Sequence, residues 1–447
     1  MKTRNLSISL FFLVFLLLPS MSAAARAGVN NSDYWIGKLK RPDKAVMTAG
    51  EIEALNRSIL EGDGQMADVS VLPDLISGSQ LQAWLNEDHL PTPQRYDADG
   101  IPLDDGFFAG LAHNMNLSGV ADENPVRFGY VIERADIRAF PEVRPVLKSP
   151  EKAAFDTFQY SSIAPGEPAA LLHTSSDGLW GFFQTRIVRG WLPLEKVALG
   201  EREALGGDGD VIVVTGSSVD IFVDLKFKET VASVPMGAVF YPSKRRFKGA
   251  WAIRYPAQGA DGLIWKDAYI KKGADVSKGF LPYTRRNVIR QAFKMLGEEY
   301  GWGGRDGKRD CSEFIRSIFA TMSIRLPRNS SRQAVAGDVR AHEEYEITRE
   351  DMALALDEAE PGITLLGTPG HIMLYLGERK GTPYVIHQIF GYMDNSRLKV
   401  INKVAVTDLN IGSRSKSGPF RERLRSVNAI VKPAMADGDA YNSRQSF

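Results

Sequence analysis

The chain has 447 residues, with 55 lysines and arginines against 54 aspartates and glutamates and a formal charge of +1. Such a balance gives no electrostatic basis for nucleic-acid binding, and a chain this long exceeds one ordinary core and points to about two to four domains. Its single cysteine excludes an internal disulfide.

Lys2 and Arg4 precede an apolar run over 6–18, followed by Pro19 and small residues through Ala27. The pattern predicts a secretory signal peptide over 1–27, cut after Ala24, Ala25 or Ala27, because the run is short for a membrane span. Removing Lys2, Arg4 and Arg26 takes the formal charge from +1 to −2. No second run of membrane length follows, so the mature chain is expected outside the cytoplasmic membrane, in a periplasm, without stable membrane insertion.

Residues 28–127 carry two apolar stripes at helical spacing: Ile52, Leu55, Ile59 and Leu60 after Thr48, then Leu75, Leu81, Trp84 and Leu85. They predict a helical region. His89 and His113 lack partners at ligand spacing and read as structural.

From Phe128, short alternating stretches broken by Gly, Pro and Asp predict a small β-barrel over 128–202. Leu171, His173, Trp180 and Phe182 supply buried strand faces. Trp180 and Trp191 read as core or rim packing, with a ligand platform as the other reading. The turn before Trp180 and the Gly190, Trp191 step resemble a bacterial SH3-like domain. A hinge at 206–209 leads into a second strand series over 203–280, which resembles a more divergent barrel of the same kind. The basic run 244–248 reads as a solvated turn.

A helical period returns after Thr284 at Val288, Ile289, Ala292, Phe293 and Leu296 and stops at Gly297. Cys311 then precedes Phe314, Ile315, Ile318, Phe319 and Met322, which puts the sulfur in the first turn of an amphipathic helix. Unpaired N–H groups and the helix dipole are expected to lower the thiol pKa there and make a nucleophile; the plain alternative is a small buried hydrophobe. His342 beside Glu343, Glu344 and Glu346 argues weakly for a metal, since adjacent positions point different ways, and no cofactor is expected. Residues 372–377 and 384–389 read as antiparallel strands joined by a turn at 380–383. The tail over 433–447 is polar and expected to be disordered.

Tyr300, Trp302, Gly303 and Gly304 followed by Asp310, Cys311 and Ser312 resemble the nucleophile segment of the NlpC/P60 cysteine peptidases, with Glu313 where that family usually has glycine. Leu326, Pro327, Arg328, Ser330 and Gln333 resemble the segment after its nucleophile helix, and residues 370–377 resemble its histidine strand. At Pro361, Gly362 and Ile363 the chain departs from that pattern, where an aspartate commonly follows the glycine. The resemblance implies a multidomain α+β architecture: a helical stabilising region at 28–127, SH3-like barrels at 128–202 and 203–280, and a papain-like catalytic domain at 281–432.

It also implies Cys311 as nucleophile, His371 as proton carrier and His387 as the residue that orients His371. On the sequence alone His387 reads as a core histidine, and Gln388 competes as the orienting group, although strand alternation turns it to the opposite face. The Cys311 N–H and the Tyr300 hydroxyl are the expected oxyanion donors. Asp310 reads either as a helix cap or as a contact for a free amino terminus, with Ser312 and Ser330 lining the same pocket. The substrate implied is a peptidoglycan stem peptide, typically at the γ-D-glutamyl-L-diamino acid bond, cleaved through a thioester without a metal. A CHAP-type amidase, a transglutaminase-like transferase and a non-catalytic wall-binding protein are the competing readings. Whether the barrels wall the cleft or bind the wall polymer stays open, as does the oligomeric state.

Overall fold

The computed structural model describes residues 28–202, 209–345 and 347–433. The expected leader, residues 206–208 of the hinge, Glu346 and the tail from 434 lie outside the described residues.

Helix α1 (Ser32–Ile36) is followed by α2 (Ala49–Gly62), which Thr48 and Glu51 open with a reciprocal capping box. Ile52, Leu55 and Ile59, three and four apart, share one face. They bury with Trp35 against Val288, Phe314 and Phe319 of the C-terminal region, and the Asn56 amide donates to Ser323 O at 2.7 Å. The second stripe goes elsewhere. Helices α3 (Gly78–Leu85) and α4 (Asp105–Asn114) send Leu81, Leu85 and Leu111 into a core with Phe128, Phe158 and Trp191. A ribbon of β1 (Leu75–Ser77) and β2 (Glu123–Pro125) holds this half together. One stretch of sequence therefore fastens two cores, and each fully buried leucine in it contributes about 1.5–3 kcal/mol.

The first strand-rich unit comprises β3 (Arg127–Val131), β4 (Ala135–Arg138), β5 (Gln159–Ile163), β6 (Pro168–Thr174), β7 (Trp180–Thr185), β8 (Arg189–Pro193) and β9 (Val197–Gly200). They form one sheet in the order β5-β4-β8-β7-β6-β3-β9. Its own core is built on Val131, Ile137, Phe183 and Leu192, whereas Trp191 is buried on the face that packs with Leu81, Leu85 and Leu111 of the N-terminal helices, and Trp180 is partly buried against the same cluster. The second unit contains β10 (Ile212–Val214), β11 (Ser218–Phe222), β12 (Thr230–Pro235), β13 (Val239–Phe240), β14 (Ala250–Gly259), β15 (Gly262–Lys271) and β16 (Val276–Lys278). These split into a three-stranded sheet, β13-β10-β16, and a four-stranded one, β12-β11-β15-β14, around Ile212, Val234, Ile253 and Ile270.

In the C-terminal region, helices α5 (Arg285–Lys294), α6 (Cys311–Ala320), α7 (Ser330–Gln333) and α8 (Arg349–Asp357) accompany six strands. These are β17 (Asp338–His342), β18 (Thr364–Thr368), β19 (His371–Arg379), β20 (Thr382–Asp394), β21 (Arg397–Asp408) and β22 (Ser426–Ala429), ordered β17-β22-β18-β19-β20-β21 and antiparallel throughout. Alternation along β19 and β20 decides which face each residue takes. Ile372, Leu374, Leu376 and Ile386 share a core with α5 and α6, while Met373, Tyr375, Val385 and Ile389 share one with Leu356 and Phe420. Lys380 and Gly381, at φ 53° and 72°, make the tight turn between β19 and β20. Strand β20 runs well past the expected end and pairs with β21 at the sheet edge.

Candidate active site

The Cys311 helix is set in place by a buried charged cluster. Asp310 is its N-cap and accepts from Glu313 N at 2.9 Å through Oδ1. Its Oδ2 accepts from Gly303 N at 3.0 Å, which folds the glycine turn back over the helix start. Gly303 has φ 59°, and a Cβ there would meet Gln159 Cγ at 2.5 Å, so the first strand-rich unit presses directly on this turn. Arg328 then donates to both Asp310 oxygens, at 3.1 and 2.6 Å, and to Ser312 Oγ at 2.8 Å and Ser161 Oγ at 2.7 Å. Ser312 Oγ donates to Asp310 at 3.1 Å. Asp310 is thus a cap whose two oxygens are both engaged inside the protein. Arg328 belongs to the site although the sequence offered it only as part of a family-like segment.

Glu313 is buried. It accepts from Arg316 at 2.8 and 2.9 Å and lies 3.7 Å from Arg328 Nε. Where the family pattern has glycine, this chain adds a second, partly buried ion pair.

The sulfur itself is 6% exposed. The expectation of a depressed thiol pKa is corrected here: burial first, and then the Asp310 charge, push Cys311 up to about 12. Backbone N–H groups of Ile372 and Ser312 and the Arg328 charge offset this only in part. The site at rest holds a neutral thiol.

His371 begins β19, one residue before the N–H that reaches the sulfur, and its Nε2 lies 2.8 Å from His387 Nδ1. His387 is fully buried, and its Nε2 lies 3.1 Å from Thr407 Oγ1 on β21. Phe420 covers the pair, its ring centroid 6.1 Å from His371 and 6.3 Å from His387. Burial and then the Arg423 charge lower His371 to about 4, while Asp310 pulls the other way. Burial and the neighbouring His371 hold His387 well below the usual imidazole range. Both rings are therefore neutral at pH 7. Among the described residues no hydrogen bond joins the sulfur directly to an imidazole; the thiol and the pair converge on the first two residues of β19. Gln388 turns to the opposite face, where its amide donates to Glu299 O at 2.8 Å.

Tyr300 lies between Phe155 and Phe390, at centroid distances of 6.4 and 5.8 Å. Burial raises its pKa first, then the negative charge that Cys311 takes once ionised, then the Asp310 carboxylate, so its hydroxyl keeps its proton and can donate. Tyr300, Asp310, Cys311, Ser312 and Ser330 all line one cavity of about 690 Å³. Its far wall comes from the N-terminal region and the first barrel: Trp84, Asp88, Tyr160 and Arg189. Burial raises Asp88 above the ordinary carboxylate range even though the Tyr160 hydroxyl bonds to it. Trp84 belongs to the apolar stripe of its helix, while no local pattern in the sequence marked Asp88, Tyr160 or Arg189. A separate cavity of about 540 Å³ lies on the Glu313 and Arg316 side of α6, between the two strand-rich units, and includes neither Cys311 nor the histidines.

The C-terminal region is thus an α+β fold with a helix-tip cysteine beside two histidines on neighbouring strands. Residues 297–392 match the model of the NlpC/P60 family, and residues 145–193 match that of an SH3 domain of the SH3b1 type. The chain carries an NlpC/P60 domain preceded by an SH3b domain. No curated protein matches it. Among solved structures it is similar to an NlpC/P60 endopeptidase from Photobacterium damselae subsp. piscicida, 19% identical over 89% of this chain and 95% of that one, with a TM-score of 0.67. That likeness establishes a shared fold. An NlpC/P60 family protein from Bacillus cereus ATCC 10987 is 14% identical over 68% of this chain and 99% of that one, with a TM-score of 0.48. The peptidoglycan hydrolase RipB from Mycobacterium tuberculosis is 23% identical over 33% of this chain and 65% of that one, with a TM-score of 0.23. No described helix is long and apolar enough to cross a membrane.

Proposed function

We propose that this protein is an exported cell-wall cysteine endopeptidase that hydrolyses peptidoglycan stem peptides at the γ-D-glutamyl-L-diamino acid bond. The observation that carries the reading is the hydrogen bond between His371 at the start of β19 and His387 on β20, beside a cysteine at a helix tip that lines a cavity. The match of residues 297–392 to the NlpC/P60 model supports it, and the leader pattern supports a periplasmic location.

In the mechanism, substrate displaces water from the cavity. His371 takes the Cys311 proton as the sulfur bonds to the scissile carbonyl carbon, and the oxyanion meets the Cys311 N–H and the Tyr300 hydroxyl. The imidazolium then gives its proton to the leaving amine as the C–N bond breaks, which leaves a thioester. His371 next draws a proton from water, the hydroxide oxygen bonds to the acyl carbon, and the thiolate leaves and regains the proton. Starting from neutral partners, the enzyme must move the proton during attack.

A substrate ammonium needs a carboxylate in the pocket. Asp310 is held by Arg328, Glu87 by Arg189, and Asp63 by the backbone N–H groups of Gln65 and Met66, so the available group is Asp88 on the opposite wall, with Ser312 and Ser330 as polar lining. This arrangement favours a stem peptide with a free N-terminal L-alanine over one attached to glycan, and gives the N-terminal region and the SH3b domain the role of a cleft wall. Incubating the protein with defined stem peptides, with and without that free amine, and weighing the products tests the reading. Cleavage between D-glutamate and the diamino acid is expected; release of the whole stem from its sugar, or amine incorporation, would overturn it.

A further inference from the structure

The hydrogen-bond chain does not end at His387. We propose that Thr407 is a positioning residue that fixes the tautomer of the imidazole pair by accepting the Nε2–H of His387. The inference rests on the reading of His371 as the base, and it concerns a residue on the edge strand that no family-like motif includes.

His371 Nε2 is committed to His387 Nδ1 at 2.8 Å, which leaves His371 Nδ1 as the nitrogen free to face the thiol. A neutral imidazole carries one N–H. For Nδ1 to accept the Cys311 proton, the hydrogen of His371 must sit on Nε2 and be donated to His387 Nδ1. His387 must then hold its own hydrogen on Nε2, and that hydrogen needs an acceptor. His387 is fully buried, and the group its Nε2 meets is Thr407 Oγ1 at 3.1 Å. Were the direction reversed, with Thr407 donating, His387 Nδ1–H would donate to His371 Nε2. The hydrogen of His371 would then stand on Nδ1, facing the sulfur, and the ring could not act as a base.

The surroundings favour the productive direction. Thr407 is partly exposed, so its own hydroxyl hydrogen can go to solvent while its lone pair serves His387. The Arg423 guanidinium, 4.9 Å over the Phe420 ring that covers both histidines, opposes a positive charge on His371 and so keeps the ring in the neutral state in which its one N–H must choose a nitrogen. Strand register explains why the hydroxyl arrives at all. Thr407 pairs with Val385 and so stands diagonally across from His387, which pairs with Ala405, on the same face of the sheet.

The test is ¹⁵N imidazole NMR on the full chain with labelled histidine, which has only 6 such residues, beside kinetics on a defined stem peptide. In the parent protein His387 should be protonated at Nε2 and His371 at Nε2. Thr407→Val, which keeps the shape and removes the acceptor, should populate the Nδ1–H form of His387. It should lower kcat about 10- to 100-fold with KM little changed, short of the ~10⁴-fold that a wholly wrong tautomer costs in a comparable triad. Thr407→Ser should restore most of the rate. An Nδ1-protonated His387 in the parent overturns the proposal, as does a Thr407→Val protein that slows without any change of tautomer or keeps full kcat. If no stem peptide is cleaved by the parent, the peptidase reading fails while the resonances still decide the role of Thr407.

Discussion

Two buried polar clusters flank the cysteine, and they are built on opposite principles. On the helix side, Asp310, Arg328, Glu313 and Arg316 form full charges paired at hydrogen-bond distance. On the strand side, His371, His387 and Thr407 form a chain of groups that burial keeps neutral. Charges fixed against one another do not move protons; they hold the glycine turn, the helix start and the first barrel in one geometry. Neutral groups with low desolvation cost can relay a proton. The comparison teaches that stability and chemistry are divided between the two sides of one sulfur.

Breaking each side should therefore give different phenotypes. The largest effect is expected at the junction: Cys311→Ala should abolish stem-peptide cleavage, by about 10⁴-fold or more, with an unchanged urea midpoint. On the charged side, Arg328→Met leaves Asp310 buried without its partner and should cost about 3–5 kcal/mol in urea unfolding, whereas His387→Gln should lower kcat about 10²- to 10³-fold with far less loss of stability. A destabilised His387→Gln protein with normal kcat would collapse the distinction.

Specificity should follow the wall and not the cap. Asp88→Asn is expected to raise KM about 10- to 100-fold for a peptide with a free amine and to leave an N-acetylated peptide unaffected, since a charge-assisted hydrogen bond contributes about 1.5–3 kcal/mol.

The smallest and most diagnostic effect is in pH. With His371 lowered to about 4 and Cys311 raised to about 12, kcat/KM should stay flat from pH 6 to 9 and fall only as pH approaches the His371 value. Stability should behave differently. Both histidines bind protons more weakly folded than unfolded, so their contribution is complete above the unfolded imidazole value of about 6.5 and is lost progressively as pH falls below it. His387→Gln should lose less stability than the parent between these limits, measured by urea midpoints across pH.

Much of the catalytic stretch was legible because its signals are local. The apolar period after Cys311, the Asp310 cap and the alternation that separates His387 from Gln388 are properties of consecutive residues. Strand β21 was not read, since as an edge strand it exposes Leu398 and Val400 and shows little burial pattern for a sequence to display. The burial of Glu313 was not legible, because a glutamate in a helix ordinarily faces water; only Arg316 one turn on and Arg328 from the following loop explain it.

The sequence by itself determined that Cys311 opens a helix and that His371 and His387 stand on neighbouring strands, because helix and strand periods depend on neighbours along the chain. The tertiary structure decided their protonation states and their surroundings. Desolvation by distant segments turned an expected thiolate into a thiol, Arg328 closed Asp310, and Asp88 and Thr407 joined the site from far along the chain. Solvation and pairing are set by what packs in three dimensions, and no local pattern encodes that.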